Sequence, residues 1–132
     1  MPYRLNEQEV RTVSSLEGPD RYSYFIKRVA DCEELWTLKA PDGYVLMGGK
    51  EETPHVPLWP HPRYAEICAK GEWLNTVPVP ISLLEFLNKW VPGLHLDGRL
   101  VAVFPLPTGK GVSVDPVRLA DDLREESKLY ED

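Results

Sequence analysis

Three side chains with metal-binding chemistry, His55, His61 and Cys68, stand close together in the chain. Zinc needs three or four N, S or O ligands gathered into a tetrahedron. His61 and Cys68 are seven residues apart, which on a helix is about 10 Å along the axis, too far to share one ion. No spacing here follows a known ligand pattern, so no metal is expected. His61 reads as a helix cap and Cys68 as core. Thr108-Gly109-Lys110-Gly111 has phosphate-binding residue types. A phosphate cradle, however, needs a longer glycine-bracketed loop, then Lys-Ser/Thr and a helix. Here the loop is short and leads into a strand, so a hairpin turn accounts for it. None of Ser14, Ser15, Ser23, Ser82, Ser113 and Ser127 stands in a Gly-x-Ser-x-Gly elbow. His95 lies two residues from Asp97 in a Gly-bounded turn, where adjacent charges are ordinarily just solvated. No nucleophile, base and orienter can be assembled, so neither a catalytic residue nor a cofactor is expected. The competing reading is an enzyme or small-ligand site in which His61, Arg63 and His95 converge on one cleft. Such a site would titrate at about pH 6 to 7.

Recognition chemistry is denser. Pro54-His55-Val56-Pro57-Leu58-Trp59-Pro60-His61-Pro62-Arg63-Tyr64-Ala65 combines four prolines with two histidines, an arginine and two large aromatics. Proline fixes φ and removes a donor, so this stretch reads as an edge strand or extended connector feeding a helix at Pro62. Pro54, Pro57 and Pro60 recur at the polyproline II period of three, although prolines that guard a sheet edge are the better explanation of them. Either version leaves the segment on the surface. Trp, Tyr and Arg dominate interface hot spots, so Trp59, His61, Arg63 and Tyr64 are the candidate binding residues. The exposed edge admits a homo-oligomer by sheet extension, and its prolines oppose one. The sequence leaves both open.

The elements that must position these residues fill a chain of 132 residues, enough for one domain with an ordinary core. Residues 1–132 read as that single domain, with 1–6 and 130–132 frayed. No apolar run approaches the roughly 18 to 20 residues that cross a bilayer, and the first residues lack a signal-peptide h-region. A cytoplasmic location, no membrane partner and reduced Cys32 and Cys68 are therefore expected. The net charge is −6, and residues 115–132 hold seven acids against three bases. Arg21, Lys27 and Arg28 approach a basic patch, but Asp20 and Asp31 bracket them. Nucleic acid is therefore disfavoured as a partner.

Val10, Val13 and Leu16 mark a helix over 7–16. Tyr22, Phe25, Ile26 and Val29 mark a second, started by Pro19 and ending near Asp31 or Cys32. The period then changes to two. Leu35–Leu38 and Gly43–Met47 form a hairpin through Pro41-Asp42-Gly43, and 48–53 is a polar loop. A third helix from Pro62 is capped by Gly71, and 77–80 is extended. Ser82 and Glu85 make a capping box with Ile81 and Phe86 as staple. The stripe Leu83, Leu84, Leu87 and Val91 follows, and Pro92-Gly93 ends that helix. Leu100–Phe104 is apolar enough to be a central strand, turned through 107–111 into 112–114. Asp115-Pro116 starts the last helix, with Leu119, Ala120 and Leu123 inward. The expected fold is α+β: a mainly antiparallel sheet of about five strands with helices largely on one face.

Several of these motifs also carry a likeness. Gly18–Ile26, Glu34-Leu35-Trp36, Asp42-Gly43-Tyr44, Leu58–Ala65 and Gly71-Glu72-Trp73 resemble the bacterial domain of unknown function 2750 family. So do Pro92-Gly93-Leu94, Asp97-Gly98 and Val101–Pro105. The resemblance covers residues 5 to 130 and implies no activity, cofactor or partner. The later half is also similar in layout to small bacterial immunity or secretion-accessory domains, an analogy that fixes no function. The expected function is a non-catalytic protein-binding or adaptor module using the 54–65 edge. Its acidic last helix offers a second contact for a basic partner, and immunity to a toxin is a natural subclass.

Overall fold

The computed structural model describes residues 4–48, 53–108 and 111–130. Asn6 caps α1 (Glu7–Ser14), its Oδ1 accepting the Glu9 N–H at 2.7 Å, and Val10 and Val13 turn inward. α2 (Gly18–Cys32) holds Pro19 in its first turn, where a missing N–H costs no hydrogen bond. Its stripe of Phe25, Ile26 and Val29 is buried, and Glu33 ends it in the left-handed region at φ 57°. β1 (Glu34–Ala40) turns through Pro41-Asp42 into β2 (Gly43–Tyr44), with Gly43 at φ 140°. β2 stops short of Met47 because Met47 leaves β1 and exchanges two 2.8 Å hydrogen bonds with His55 instead. His55 heads β3 (His55–Leu58), which leads into α3 (Pro62–Cys68). Ala69 caps α3. Gly71 serves differently from the expected cap, starting a separate 3₁₀ turn (Gly71–Trp73) at φ 60°.

β4 (Val77–Ser82) leads into α4 (Leu83–Glu85). Of the capping box, the Ser82 half is formed: Ser82 Oγ accepts the Glu85 N–H at 3.1 Å. Pro92-Gly93 does not end the helix. A π-helical turn (Phe86–Trp90) joins α4 to α5 (Val91–Asp97). In it the Val91 N–H reaches back to the Phe86 carbonyl, so the widened turn carries the chain past the ring and missing donor of Pro92. The extra residue also shifts the buried face: Phe86 and Leu83 are inside, and Leu84 is 70% exposed. Gly98, at φ 69°, is the actual stop.

β5 (Leu100–Val103), β6 (Val112–Val114) and α6 (Pro116–Ser127) complete the order before a 3₁₀ turn (Lys128–Tyr130). Asp115 caps α6 through Oδ1, 2.8 Å from the Val117 N–H, and Leu119, Ala120 and Leu123 are buried. Of the expected loops, 49–52 and 109–110 lie outside the described residues, as do 1–3 and 131–132 of the termini.

The α+β class holds, but one sheet of about five strands does not. There are two three-stranded sheets, β2-β1-β4 and β3-β5-β6. The first is antiparallel, whereas β3 runs parallel to β5. Alternation of side chains cannot reveal this, because the sense of a pairing depends on the connection. Everything from α3 to α5 lies between β3 and β5, long enough for the crossover a parallel pair needs. The sheets are joined where Trp36 and Trp59 exchange two 2.8 Å bonds in an antiparallel bridge, with the Met47–His55 bridge beyond the end of β2. Phe25, Leu35, Leu58, Trp59, Phe86, Phe104, Leu119 and Leu123 are fully buried around that junction's core.

Candidate functional site

β3 ends its sheet, yet its outer side is closed. Leu100 and Phe104 donate to the Pro54 and Leu58 carbonyls at 3.1 and 2.8 Å, so even-numbered residues of β3 face β5. His55, Pro57 and Trp59 therefore face the other way. His55 pairs with Met47 and Trp59 with Trp36. Pro57 has no N–H to donate, and its carbonyl accepts the buried Thr37 hydroxyl at 2.8 Å. Val56 to Pro60 are all buried.

This corrects the surface reading of Trp59 and Tyr64. Trp59 is 0% exposed; its indole N–H donates to the Pro105 carbonyl at 2.9 Å, and Trp73 packs edge-on at 6.3 Å. Tyr64 is 2% exposed, its ring 4.7 Å from Phe104 and its hydroxyl 3.5 Å from that of Tyr24. Burial, then the Tyr24 contact, raises the Tyr64 pKa, so it stays protonated at neutral pH. His61 caps α3, its Nδ1 accepting the Arg63 N–H at 3.0 Å. Arg63 is half-exposed and reaches Glu7 at 3.5 Å and Glu66 at 3.9 Å, tying α3 to α1. His95 is exposed in the last turn of α5, which packs on α6. The clefts described below are lined by other residues than His61, Arg63 and His95.

The remaining candidates resolve in the same structural direction. Arg21 is buried, donating to the Phe104 carbonyl at 3.3 Å and the Leu16 carbonyl at 2.5 Å, and Arg28 pairs with Glu9 at 3.3 Å. Both cysteines are free. Burial pushes the Cys68 thiol up to about 11, partly offset by Trp59 and Lys70. It lines a hollow with Trp73 and Pro105 but is no thiolate nucleophile at neutral pH. His55 Nδ1 lies 2.7 Å from the Thr53 carbonyl and Nε2 2.7 Å from Ser113 Oγ. Because a carbonyl only accepts, Nδ1 is the donor to Thr53, and the Ser113 hydroxyl is the hydrogen-bond partner of Nε2. Among the described residues no group of three or more His, Cys, Asp or Glu is placed to hold a metal ion.

What the surface does offer is a groove between α2, α6 and β6. The Tyr22 hydroxyl donates to Asp122 Oδ2 at 2.5 Å, and Arg118 Nε lies 3.5 Å from the same oxygen, forming a bar across it. Burial, then Asp122, raises the Tyr22 pKa, which keeps this donor protonated. On one side is a hollow of about 520 Å³ lined by Pro19, Val112, Ser113, Val114 and Asp115. On the other is one of about 330 Å³ lined by Ser23, Ile26, Lys27, Glu125, Glu126 and Leu129. Asp115, Asp122, Glu125 and Glu126 outnumber Arg118 and Lys27 along its walls. Such a surface can desolvate apolar groups on Pro19, Ile26 and the valines while attracting cations to α6. The sequence flagged the acidic helix but not the groove, because its two helical walls are contributed by opposite ends of the chain.

A second, open cleft of about 560 Å³ lies between the β2 hairpin and α5. Tyr44 and Trp90 meet edge-to-face at 4.8 Å there, beside Lys89, Arg99 and Asp97. Asp42-Gly43-Tyr44, Gly93-Leu94 and Asp97, three of the motifs noted in the sequence, all reach it.

Taken together, the class is an α+β protein of two stitched three-stranded sheets whose aromatic motif is core. Residues 22–123 match the model of the family described as protein of unknown function, DUF2750, and the chain belongs to that family. No curated protein and no solved structure matches it.

Proposed function

We propose that this protein is a non-catalytic protein-binding module for a basic partner, and that the groove between α2, α6 and β6 is its binding surface. The observation that carries this reading is the groove's composition: among the described residues, apolar positions beside four carboxylates and two cations line it, with Lys128 3.5 Å from Glu125 beside them. The 54–65 segment, by contrast, has its aromatic side chains and most of its backbone committed to the core. A basic enzyme neutralised by charge complementarity, as in toxin immunity, is one member of this partner class. The free thiols suit a reducing cytoplasm, and among the described residues no helix is long and apolar enough to cross a membrane.

The test uses fluorescently labelled (Val-Lys)4 and (Val-Glu)4 peptides against wild type and the double variant Glu125→Lys, Glu126→Lys. Wild type should bind (Val-Lys)4, more weakly as salt rises, and ignore (Val-Glu)4. The variant should lose at least about tenfold in affinity, given the coupling measured for close charge pairs across interfaces. Equal affinity of both peptides, or no effect of the double variant, sinks the reading.

A further inference from the structure

How a partner's backbone lies in the groove follows from the hydrogen-bond parity of β6. Leu100 and Phe104 donate toward β3, so Val101 and Val103, one residue out of step, turn their main-chain groups toward β6. Their register partners are Val114 and Val112, whose N–H and C=O groups are therefore used on β5. Ser113 alternates with them and turns its N–H and C=O outward. It is exposed, and it lines the 520 Å³ hollow. An unpaired strand edge is a template for another strand.

We propose that the groove accepts an extended, lysine- or arginine-bearing segment of a partner protein as an added strand on β6, hydrogen-bonded to Ser113. This rests on the protein-binding reading above and specifies its geometry. Two observations select the occupant. First, the hollow that Ser113 lines is bounded by Pro19, Tyr22, Asp115, Arg118 and Asp122, with two carboxylates and one cation. A second copy's groove carries the same excess of carboxylates, so like charge opposes that pairing, whereas a basic segment is attracted. Second, the carboxylates continue from Asp115 along α6 to Glu126. That helix is about 18 Å long, the span of about five or six extended residues. The two hollows share Tyr22 and Asp122, so a segment that starts at Ser113 and continues from one hollow into the other reaches Glu125 and Glu126.

The experiment pairs two variants with one exchange measurement, using (Val-Lys)4 as the probe. Ser113→Ala removes the hydroxyl and keeps the N–H; Ser113→Pro removes the outward N–H without touching a bond to β5. Wild type and Ser113→Ala should bind alike, and Ser113→Pro at least about tenfold more weakly, as expected when main-chain hydrogen bonds carry the contact. In wild type, saturating peptide should slow amide exchange at Ser113 by at least about tenfold. That readout stands even where the proline variant does not fold. If (Val-Lys)4 binds with the expected charge dependence but Ser113 exchange is unchanged, strand addition is wrong and the groove reading survives. If (Val-Lys)4 does not bind, both fall. If Ser113 becomes protected without peptide as protein concentration rises, the occupant is a second copy and the proposal is overturned.

Discussion

β4 and β6 both end a sheet, and their edges are managed in opposite ways. In β4, Trp36 and Leu38 turn toward Trp59 and Val45, so their register partners Pro80 and Pro78 face outward. Neither has an N–H, and over that stretch the free edge presents carbonyls alone. In β6 the outward residue is Ser113, with both groups intact. β3 shows a third solution, in which Pro57 faces a neighbouring strand and its one acceptor is taken by Thr37. Proline thus closes the edges around the 54–65 motif and β4, while β6 has no proline. The contrast teaches that a proline-rich, aromatic-rich segment can be a device for refusing partners, and that the place to accept one is where such devices are missing.

That contrast can be broken at several points. The largest effect is expected for Trp59→Ala, which empties a fully buried site and orphans an indole bond to Pro105. It should cost about 3–5 kcal/mol in denaturant unfolding. An effect under about 1 kcal/mol, the range of ordinary surface changes, would restore Trp59 as a surface residue. Thr37→Val keeps the shape but leaves the Pro57 carbonyl unpaired; a loss of about 1–3 kcal/mol is expected by the same measurement. His61→Ala removes the cap of α3 and should cost about 1 kcal/mol, with no change in (Val-Lys)4 binding. Pro78→Val with Pro80→Val returns two donors to the β4 edge and should change stability least. Its readout is concentration-dependent self-association in light scattering, and a strictly unchanged mass at all concentrations would show that the prolines are not what keeps that edge closed.

Alkaline pH probes burial in both regions without mutation. Cys68 titrates at about 11 in the fold against an ordinary 9.0, so the unfolded chain loses its proton first. The Cys68 contribution to stability is therefore fully present below about pH 9 and is lost as pH rises through about 11. Tyr22 and Tyr64 act in the same direction above pH 10, because burial raises both. A stability maximum above pH 10 in urea titrations would contradict this burial.

Much of the fold was legible. The stripe Phe25, Ile26 and Val29, the Pro41-Asp42 turn, the Asp115 cap and the central β5 each depend on neighbours within a few residues. The passage of the helix through Pro92 was not legible, since it depends on a π turn whose widened bond no residue type announces. Of the candidate site, His61 as a cap and Arg63 at the surface could be read, while Trp59 and Tyr64 could not. Whether a tryptophan is core or contact depends on whether a distant carbonyl, here that of Pro105, is available to its N–H.

The sequence by itself determined the local elements, the acidic balance of the last helix and the family, because periodicity, turn chemistry and charge are properties of adjacent residues. Tertiary structure alone decided that β3 returns parallel to β5, that the aromatic motif is enclosed, and that Ser113 faces outward between α2 and α6. Those outcomes follow from which strands pair and in what register, and a one-residue shift in register reverses every inward and outward group along a strand.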